Sequence, residues 1–255
     1  MNQTLALPEV EVLGVPFARV TPDQAIEAAQ RLFERPEPGW IAVENVHAVN
    51  LANSDEDHKQ VLRRADLVLN DGKGMLLAGR LLGKRFPRDL HGNYFTPLLL
   101  DLAASKGWTT FLLGAAPGVV DRAADVLSET HPGLKVVGTH HGFIAPDGHE
   151  EVAAQIREVG AELLLVGMGM PRQEQWVDEH LEATGVRLAS TVGAFYDFQV
   201  GELPRAPHWM NRLGLEWLFR LVTEPRRLWR RYLVGNPLFV YRVLRQRLRA
   251  ARGPQ

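Results

Sequence analysis

Residues 161–174 read AELLLVGMGMPRQE, an apolar run followed by two glycines and a proline. The run Ala161–Val166 is rich in Leu and Val, as strands buried on both faces of a parallel sheet are. Glycines permit a tight turn, and Pro171 suits the first position of a helix. The stretch therefore predicts a buried strand, a glycine turn and a helix over Pro171–Leu181 in direct succession.

The same succession recurs on both sides of this stretch, from residue 40 to residue 200. The other predicted strands are Trp40–Val46, Asp66–Asn70, Thr109–Leu113, Leu134–Gly138 and Arg187–Val192. The other predicted helices are His58–Ala65, Gly74–Leu82, Thr96–Lys106, Pro117–Thr130 and Glu150–Val159, with an earlier one that starts at Thr21-Pro22. Alternating strands and helices predict an α/β fold, a mostly parallel Rossmann-like sheet with helices on both faces. Ligands of such sheets bind beyond the carboxyl ends of the strands.

The pattern changes near residue 204, where the strands stop and helical patterns follow, broken at Glu224-Pro225 and Asn236-Pro237. Arg205 to Arg252 contains twelve Arg, no Lys and two acids, whereas the rest of the chain contains 17 bases and 28 acids. We therefore predict an α/β domain over 1–203 and an Arg-rich helical appendage over 204–255. A basic appendage on an acidic body indicates an anionic partner.

Composition excludes several classes of protein. The 255 residues include no Cys, which rules out disulfides, thiolate metal sites and a Cys nucleophile. No apolar run approaches the roughly 18 residues that span a bilayer, and the N-terminus lacks the basic start and apolar core of a signal peptide. His140-His141 has no acids at ligand spacing, so no metal is expected there. The expected location is the cytoplasm.

A carboxylate stands directly after the predicted strand that ends at Asn70, in the segment Asp71-Gly72-Lys73-Gly74. An Asp at a strand's carboxyl end, beside glycines that allow close approach of the backbone, suits a catalytic acid or base. The alternative is that Asp71 caps the helix predicted from Gly74. The segment alone leaves both roles open.

Two other predicted strands end in glycine turns, one with Gly114 and one with Gly167 and Gly169. Each turn opens a helix, whose free N–H groups and positive dipole end can bind phosphate. Arg172 and Gln173, on the first turn of the second helix, can reach a diphosphate or a sugar hydroxyl. Ordinary tight turns are the alternative for both segments.

Asn45 and His47 follow the predicted strand at residue 40. Asn45 is a candidate for a hydrogen bond to substrate and His47 for acid–base chemistry. A purely structural role is the alternative for each of them.

The appendage interleaves arginines with aromatic residues. In the last predicted helix Val240, Leu244 and Leu248 share one face, and the arginines lie elsewhere on the wheel. This pattern is typical of a helix that lies on an anionic membrane surface. One alternative is a helix packed on the domain with a solvated arginine face. Another is nucleic-acid binding, for which no recognised motif is present.

Several motifs stand in order along the chain. They are Asn45, Asp71-Gly-x-Gly, Phe111-Leu-Leu-Gly114, Gly138-Thr-His-His-Gly142, Gly167-x-Gly-x-Pro-Arg-Gln-Glu-x-Trp176, Arg205-Ala-Pro207, Leu215-Glu-Trp217 and Glu224-Pro-Arg-Arg227. With them the chain resembles the WecG/TagA/CpsF glycosyltransferases over about residues 10–240. The Pro-Arg-Gln-Glu-x-Trp and Glu-Pro-Arg-Arg segments make this resemblance specific.

The resemblance implies a cofactor-free, metal-independent and inverting sugar transfer. The donor would be a UDP-sugar, best known as UDP-N-acetylmannosamine. The acceptor would be undecaprenyl-diphosphate-linked N-acetylglucosamine at the cytoplasmic face of the membrane. The product would serve wall teichoic acid or surface polysaccharide synthesis, and the appendage would dock the enzyme on the membrane.

The resemblance also implies roles for individual residues. Asp71 would be the general base, and arginines of the appendage would lie over the donor diphosphate. The predicted substrate-binding residues are Asn45, Arg88, Gly114, Gly167, Gly169, Gln173, Arg220, Arg227 and Arg231. The chain departs from the family pattern at Val43-Glu44-Asn45, where Thr-Pro-Asn is common. It departs again within Arg88–Tyr94, where Arg-Val-x-Gly-Ser-Asp is common, and both departures bear on which sugars bind.

Two other functions remain alternatives. A dinucleotide-dependent oxidoreductase is disfavoured, because the first strand lacks the G-x-G-x-x-G turn and the acid that binds ribose. A non-enzymatic module that binds anionic surfaces would use the arginines but leaves Asp71 and the glycine turns unexplained. Nucleic acid is not an expected partner, and homo-oligomerisation is left open.

Overall fold

The computed structural model describes residues 7–204, 206–207, 210 and 216–251, and of residues 216, 227 and 251 it describes only the backbone. This part of the chain contains an antiparallel hairpin of β1 (Glu9–Val12) and β2 (Val15–Ala18). It also contains a six-stranded sheet. The strands of the sheet are β3 (Gly39–Asn45), β4 (Leu67–Asp71), β5 (Thr109–Gly114), β6 (Lys135–His140), β7 (Leu163–Gly167) and β8 (Leu188–Thr191).

The sheet has the strand order β4-β3-β8-β7-β5-β6, and every neighbouring pair is parallel. The carboxyl ends of all six strands therefore meet at one edge. That edge carries Asn45, Asp71, Gly114 and Gly167, the last residues of β3, β4, β5 and β7. The predicted Rossmann-like α/β fold is confirmed.

Both faces of the sheet are covered, which explains why its strands are continuously apolar. In β3, Trp40 and Ala42 belong to one buried cluster, and Ile41 and Val43 belong to the cluster on the opposite face. Successive side chains of a strand point to opposite faces, so a sheet covered on both faces needs apolar residues at every position. The same reasoning applies to β7, whose five residues are all buried.

Nine helices precede the appendage within the described residues. They are α1 (Pro22–Glu34), α2 (Val46–Ala52), α3 (Glu56–Arg64), α4 (Lys73–Leu81), α5 (Gly92–Lys106), α6 (Val119–Thr130), α7 (His149–Glu158), α8 (Arg172–Thr184) and α9 (Phe195–Gln199). The predicted start at Thr21 is confirmed. Thr21 Oγ1 accepts the Gln24 N–H at 3.3 Å, and the Gln24 side chain accepts the Thr21 N–H at 2.9 Å.

The hairpin, α2 and α9 are not among the predicted elements. The hairpin turns at Leu13 and Gly14, both with positive φ (52° and 91°), and a Leu at such a turn position gives no recognisable signal. The prediction that β3 runs to Val46 is wrong, because Asn45 starts α2. Its Oδ1 accepts the His47 N–H at 2.9 Å, which is a helix N-cap.

The appendage is helical where it is described. Its elements are α10 (Glu216–Thr223), α11 (Pro225–Trp229), a π-helical turn (Arg230–Val234) and α12 (Gly235–Ala251). The predicted break at Glu224-Pro225 is confirmed. The predicted break at Asn236-Pro237 is wrong, because Pro237 falls in the first turn of α12, where a missing N–H costs little. Arg205 and Leu215 of the appendage motifs lie outside the described residues.

One face of α12 packs on the α/β body. Phe239 and Val243 are buried in the same cluster as Trp40. Around them, Arg242 Nη1 donates to Asn50 Oδ1 at 2.9 Å. The packing alternative is therefore confirmed for this face of the helix. The division of the chain at residue 203 stays a prediction.

The opposite face of α12 carries exposed apolar side chains, among them Tyr241 (60% exposed), Leu244 (41%) and Leu248 (60%). The apolar stripe predicted from Val240, Leu244 and Leu248 thus exists beside the packed face. None of the helices in the described ranges is both long enough and apolar enough to cross a bilayer.

Candidate active site

Asn45 and Asp71 are neighbours at the carboxyl edge of the sheet. They are register partners in the parallel β3–β4 pair. Asn45 Nδ2 lies 3.4 Å from Asp71 Oδ2, while Asn45 Oδ1 accepts the His47 N–H. The capping hydrogen bond fixes the amide so that its nitrogen faces the carboxylate. Asn45 thus serves the helix and the Asp71 carboxyl at the same time.

The capping alternative for Asp71 is wrong. The residue that precedes α4 is Gly72, with φ +92°, and no side chain caps this helix. Instead, the Gly72 N–H donates to Asp89 Oδ1 at 2.7 Å. The Asp71 side chain is therefore left for the edge of the sheet, as a catalytic role requires.

The segment before α5 supplies two further charged groups beside Asp71. Asn70 Nδ2 donates to the Arg88 carbonyl at 3.0 Å, and the Leu90 N–H donates to the Asn70 carbonyl at 3.1 Å. These bonds hold the segment against the end of β4, and so bring Asp89 and His91 to Asp71. The sequence analysis singled out this segment as a departure from the family pattern but assigned no role to Asp89 or His91.

Arg88 itself is exposed, and its guanidinium lies over the Tyr94 ring at 4.4 Å. A guanidinium over an aromatic face is held by cation–π attraction. Tyr94 replaces the family's common Asp, so it orients Arg88 by stacking where a carboxylate would pair with it. The substrate-binding role of Arg88 stays a prediction.

The electrostatic surroundings favour Asp71 as a proton acceptor. Burial raises the pKa of the Asp71 carboxyl above its ordinary value, and the Asp89 carboxylate raises it further. His91, the Asn45 amide and the Arg231 guanidinium act in the opposite direction. A carboxylate with a raised pKa is a stronger base, which suits general-base work near neutral pH.

Arg231, in the π-helical turn, is an appendage arginine whose charge acts on this site. Its charge lowers the pKa of Asp71. It also contributes to the lowered pKa of His47, about 4, where burial is the largest cause and the charges of Arg231 and His58 add to it. One guanidinium of the appendage thus lowers the pKa values of two residues of the body.

Of the other two predicted arginines, Arg220 has a described side chain, and it contacts other partners. Arg220 lies over the Phe198 ring at 5.6 Å and forms an ion pair with Glu224 at 3.8 Å. The Arg227 side chain lies outside the described residues. Their roles toward a diphosphate stay predictions.

The glycine turns pack closely against one another. A Cβ on Gly114 would lie 2.3 Å from the Gly167 carbonyl oxygen, and one on Gly167 would lie 2.7 Å from the Gly193 carbonyl oxygen. The tight-turn interpretation therefore accounts for Gly114 and Gly167. No side chain caps α6 or α8 among the described residues. The Val119 N–H of α6 and the Gln173 N–H of α8 donate to the Ala116 and Gly169 carbonyls, so an anion would be bound by the other N–H groups of these first turns. The phosphate-binding role stays a prediction.

Gln173 links the turn after β7 to the turn after β8. It is fully buried, and its Oε1 accepts the N–H groups of Gly169 at 3.2 Å and Gly193 at 3.1 Å. Its Nε2 donates to Glu174 Oε1 at 2.6 Å. These bonds give Gln173 a positioning role for the edge of the sheet. Its predicted contact with substrate stays a prediction.

Glu174 and Glu44 form a buried acidic pair that the sequence analysis did not find. Both side chains are fully buried. Burial raises the pKa of Glu174 to about 7, although the hydrogen bond from Gln173 lowers it. Burial, Glu174 and then Asp71 raise the pKa of Glu44 well above its ordinary value. The one available signal was an acid inside the apolar strand β3.

Within the described ranges, no group of three or more His, Asp and Glu side chains is arranged to hold a metal ion. The groups gathered at the edge are a partly buried carboxylate, a fixed amide, a neutral imidazole and, from the appendage, the charge of a guanidinium. Together with the fold, they mark this edge as the candidate active site of an enzyme of the Rossmann-like α/β class.

The particular family follows from comparison with known proteins. The chain belongs to the WecG/TagA/CpsF family of glycosyl transferases, whose family model matches residues 10–253. The resemblance noted from the motifs is therefore confirmed.

The chain is also similar to curated proteins of Staphylococcus aureus strains NCTC 8325, COL and MRSA252. Each is 27% identical over 237 residues, which cover 92% of both chains. All three are named N-acetylglucosaminyldiphosphoundecaprenol N-acetyl-beta-D-mannosaminyltransferase.

Proposed function

We propose that this protein is an inverting glycosyltransferase that moves N-acetylmannosamine from UDP to undecaprenyl-diphosphate-linked N-acetylglucosamine. The product serves cell-surface polysaccharide or teichoic acid synthesis. The observation that carries the proposal is the convergence of Asp71, from the body, and Arg231, from the appendage. The names of the similar proteins support the choice of sugars and of lipid.

In the proposed reaction Asp71 acts as general base. Its carboxylate takes the proton of the acceptor hydroxyl while the hydroxyl oxygen bonds to the anomeric carbon, on the face opposite UDP. The bond from that carbon to the diphosphate oxygen breaks, and its electron pair leaves with UDP. The raised pKa of Asp71 supports this role, because the carboxylate must hold a proton at the moment of transfer.

The leaving diphosphate develops negative charge, which needs cations or N–H donors for its stabilisation. We assign this role to Arg231, with Arg220 and Arg227 as further candidates. The uncapped starts of α6 and α8, next to Gly114, Gly167 and Gly169, supply N–H groups. Asn45 and Arg88 are assigned to the sugars. The transfer requires no metal or cofactor in this proposal.

The acceptor's lipid places the enzyme at the inner face of the cell membrane, as a peripheral protein. The support is the appendage, which combines arginines with exposed apolar side chains such as Trp217 and Leu248. Arginines bind anionic headgroups, and aromatic rings favour the membrane interface.

The test is UDP release with a lipid-diphosphate-sugar acceptor. We expect Asp71→Asn to lower kcat by about 10²–10⁴-fold, the usual contribution of a general base. Asp125→Asn, an exposed change on α6, is the matched control and should keep the wild-type rate. Near-full turnover by Asp71→Asn would contradict the mechanism.

A further inference from the structure

The outward face of α12 is one wall of a groove. Val240, Tyr241 and Leu244 recur at the spacing of one helical face, and Leu244 is 41% exposed. Phe239 and Val243 on the opposite face are buried in the body. The helix therefore already has its packing partner, against which Val240 also packs, while Tyr241 and Leu244 stay exposed on the groove side.

The other wall comes from α10 and the π-helical turn. Trp217, Tyr232 and Leu233 face the α12 residues across a groove of about 620 Å³. The Trp217 and Tyr232 rings meet edge-on, with 6.1 Å between their centroids, a favourable aromatic arrangement. The groove is shallow and open, and it is lined largely by aromatic and aliphatic side chains, so it suits an apolar chain.

The groove borders the arginine that acts on the candidate active site. Arg231 directly precedes Tyr232, and its guanidinium carbon lies 5.6 Å from the centre of the Tyr232 ring. The charge of the same guanidinium lowers the pKa of Asp71 and of His47. One end of the apolar groove therefore lies beside a cation, and the field of that cation extends to the proposed base.

An apolar groove with a cation at one end is complementary to one kind of ligand, an apolar chain that ends in an anionic group. We propose that the groove between α10 and α12 binds the isoprenoid units of the acceptor next to its diphosphate. The proposal rests on the proposed function and deepens it, because the groove would select the acceptor by its chain. Arg231 would lie at the junction between chain and diphosphate.

The experiment measures binding in detergent-free solution, with farnesyl diphosphate and inorganic diphosphate as probes. Trp217 lines the groove, so tryptophan fluorescence can report the titration, with calorimetry as a second readout. We expect the wild type to bind farnesyl diphosphate at least about tenfold more tightly than inorganic diphosphate, which corresponds to about 1.4 kcal/mol.

Two groove variants and one matched control distinguish binding in the groove from non-specific adhesion of the probe to exposed apolar side chains. Leu244→Ser and Tyr241→Ser should reduce the preference for farnesyl diphosphate to near one. Both positions are exposed, so the fold should tolerate the changes. Leu248→Ser removes a 60% exposed side chain from the same helix, outside the groove, and should keep the wild-type preference.

Equal affinity of the wild type for the two probes would overturn the proposal. So would equal losses in Leu244→Ser and Leu248→Ser, which would indicate general apolar adhesion. A wild-type dimer that Leu244→Ser dissociates without changing the preference would show that a second copy occupies the groove. If farnesyl diphosphate binds as expected but no sugar transfer to a farnesyl-linked acceptor occurs, the proposed function fails and the groove stands.

Discussion

The α/β body and the appendage treat their apolar side chains differently. Of the large apolar side chains that are exposed in the described residues, three lie in 7–204 and ten in 216–251. The body carries an excess of acidic residues. The appendage carries an excess of basic residues, all of which are arginines. The body therefore buries nearly all of its large apolar side chains, whereas the appendage leaves apolar and cationic side chains exposed.

The two regions meet at Asp71 and Arg231. Asp71 is held by register and burial at the end of β4, and Arg231 comes from a turn far along the chain. In the proposed reaction, the body would provide the fixed base and the appendage would provide the cation. Changes on each side of this meeting point test the comparison.

After Asp71→Asn, the largest expected effect is the loss of turnover in Arg231→Gln. Removing one preorganised cation from the leaving group should lower kcat by about 10²–10³-fold in the UDP-release assay. Arg249→Gln removes the same charge from an exposed position on α12 and should leave the rate near that of the wild type. Equal rates for the two variants would place Arg231 outside the reaction.

A smaller effect concerns the boundary between the regions. Phe239→Ala empties a buried position between α12 and the body and should cost about 3–5 kcal/mol of unfolding free energy. Leu248→Ala, on the exposed side, should cost much less. Chemical denaturation followed by circular dichroism measures both. If Phe239→Ala left the unfolding of the body unchanged, the boundary predicted at residue 203 would separate two independent units.

The smallest effect is a pH dependence within the body. Glu44 and Glu174 have raised pKa values, so the folded state holds protons that the unfolded state releases. For Glu174 this contribution to stability is present below about pH 4.5 and is lost as pH rises through about 7, and Glu44 acts in the same direction. Glu44→Gln should therefore raise the Tm more at pH 8 than at pH 5, by about 2–4 °C for each kcal/mol gained.

The control for this pH effect is Glu151→Gln, an exposed change on α7, which should shift the Tm little at either pH. A Glu44→Gln variant that gains as much at pH 5 as at pH 8 would show that the acidic pair does not titrate in this range.

The sequence predicted the body better than the appendage, for a physical reason. The strands of the sheet are recognisable because burial on both faces demands continuous apolar runs, as in β7. The parallel arrangement of the strands follows from the fold class, whereas the register that brings Asn45 to Asp71 is seen only in the structure. By contrast, Asp89 and His91 reach Asp71 through hydrogen bonds of Asn70 to an irregular segment, which no periodicity encodes.

The appendage shows the same limit. Its arginines and its apolar stripe are visible in the sequence, but the stripe alone does not reveal that α12 has two apolar faces. Phe239 and Val243 pack inward, and Tyr241 and Leu244 point outward. The charge of Arg231 acts on Asp71 from a π-helical turn, and no pattern in the sequence predicts that turn.

The meeting of body and appendage is tested most directly by the NMR titration of His47 in the wild type and in Arg231→Gln. We predict a pKa of about 4 for the wild-type imidazole and a rise in Arg231→Gln that stays short of the ordinary value of 6.5, because burial, the largest cause, remains. Arg249→Gln should leave the titration as it is in the wild type. A His47 pKa that does not respond to Arg231→Gln would contradict the account, because Arg231 would then lie away from the site that contains Asp71.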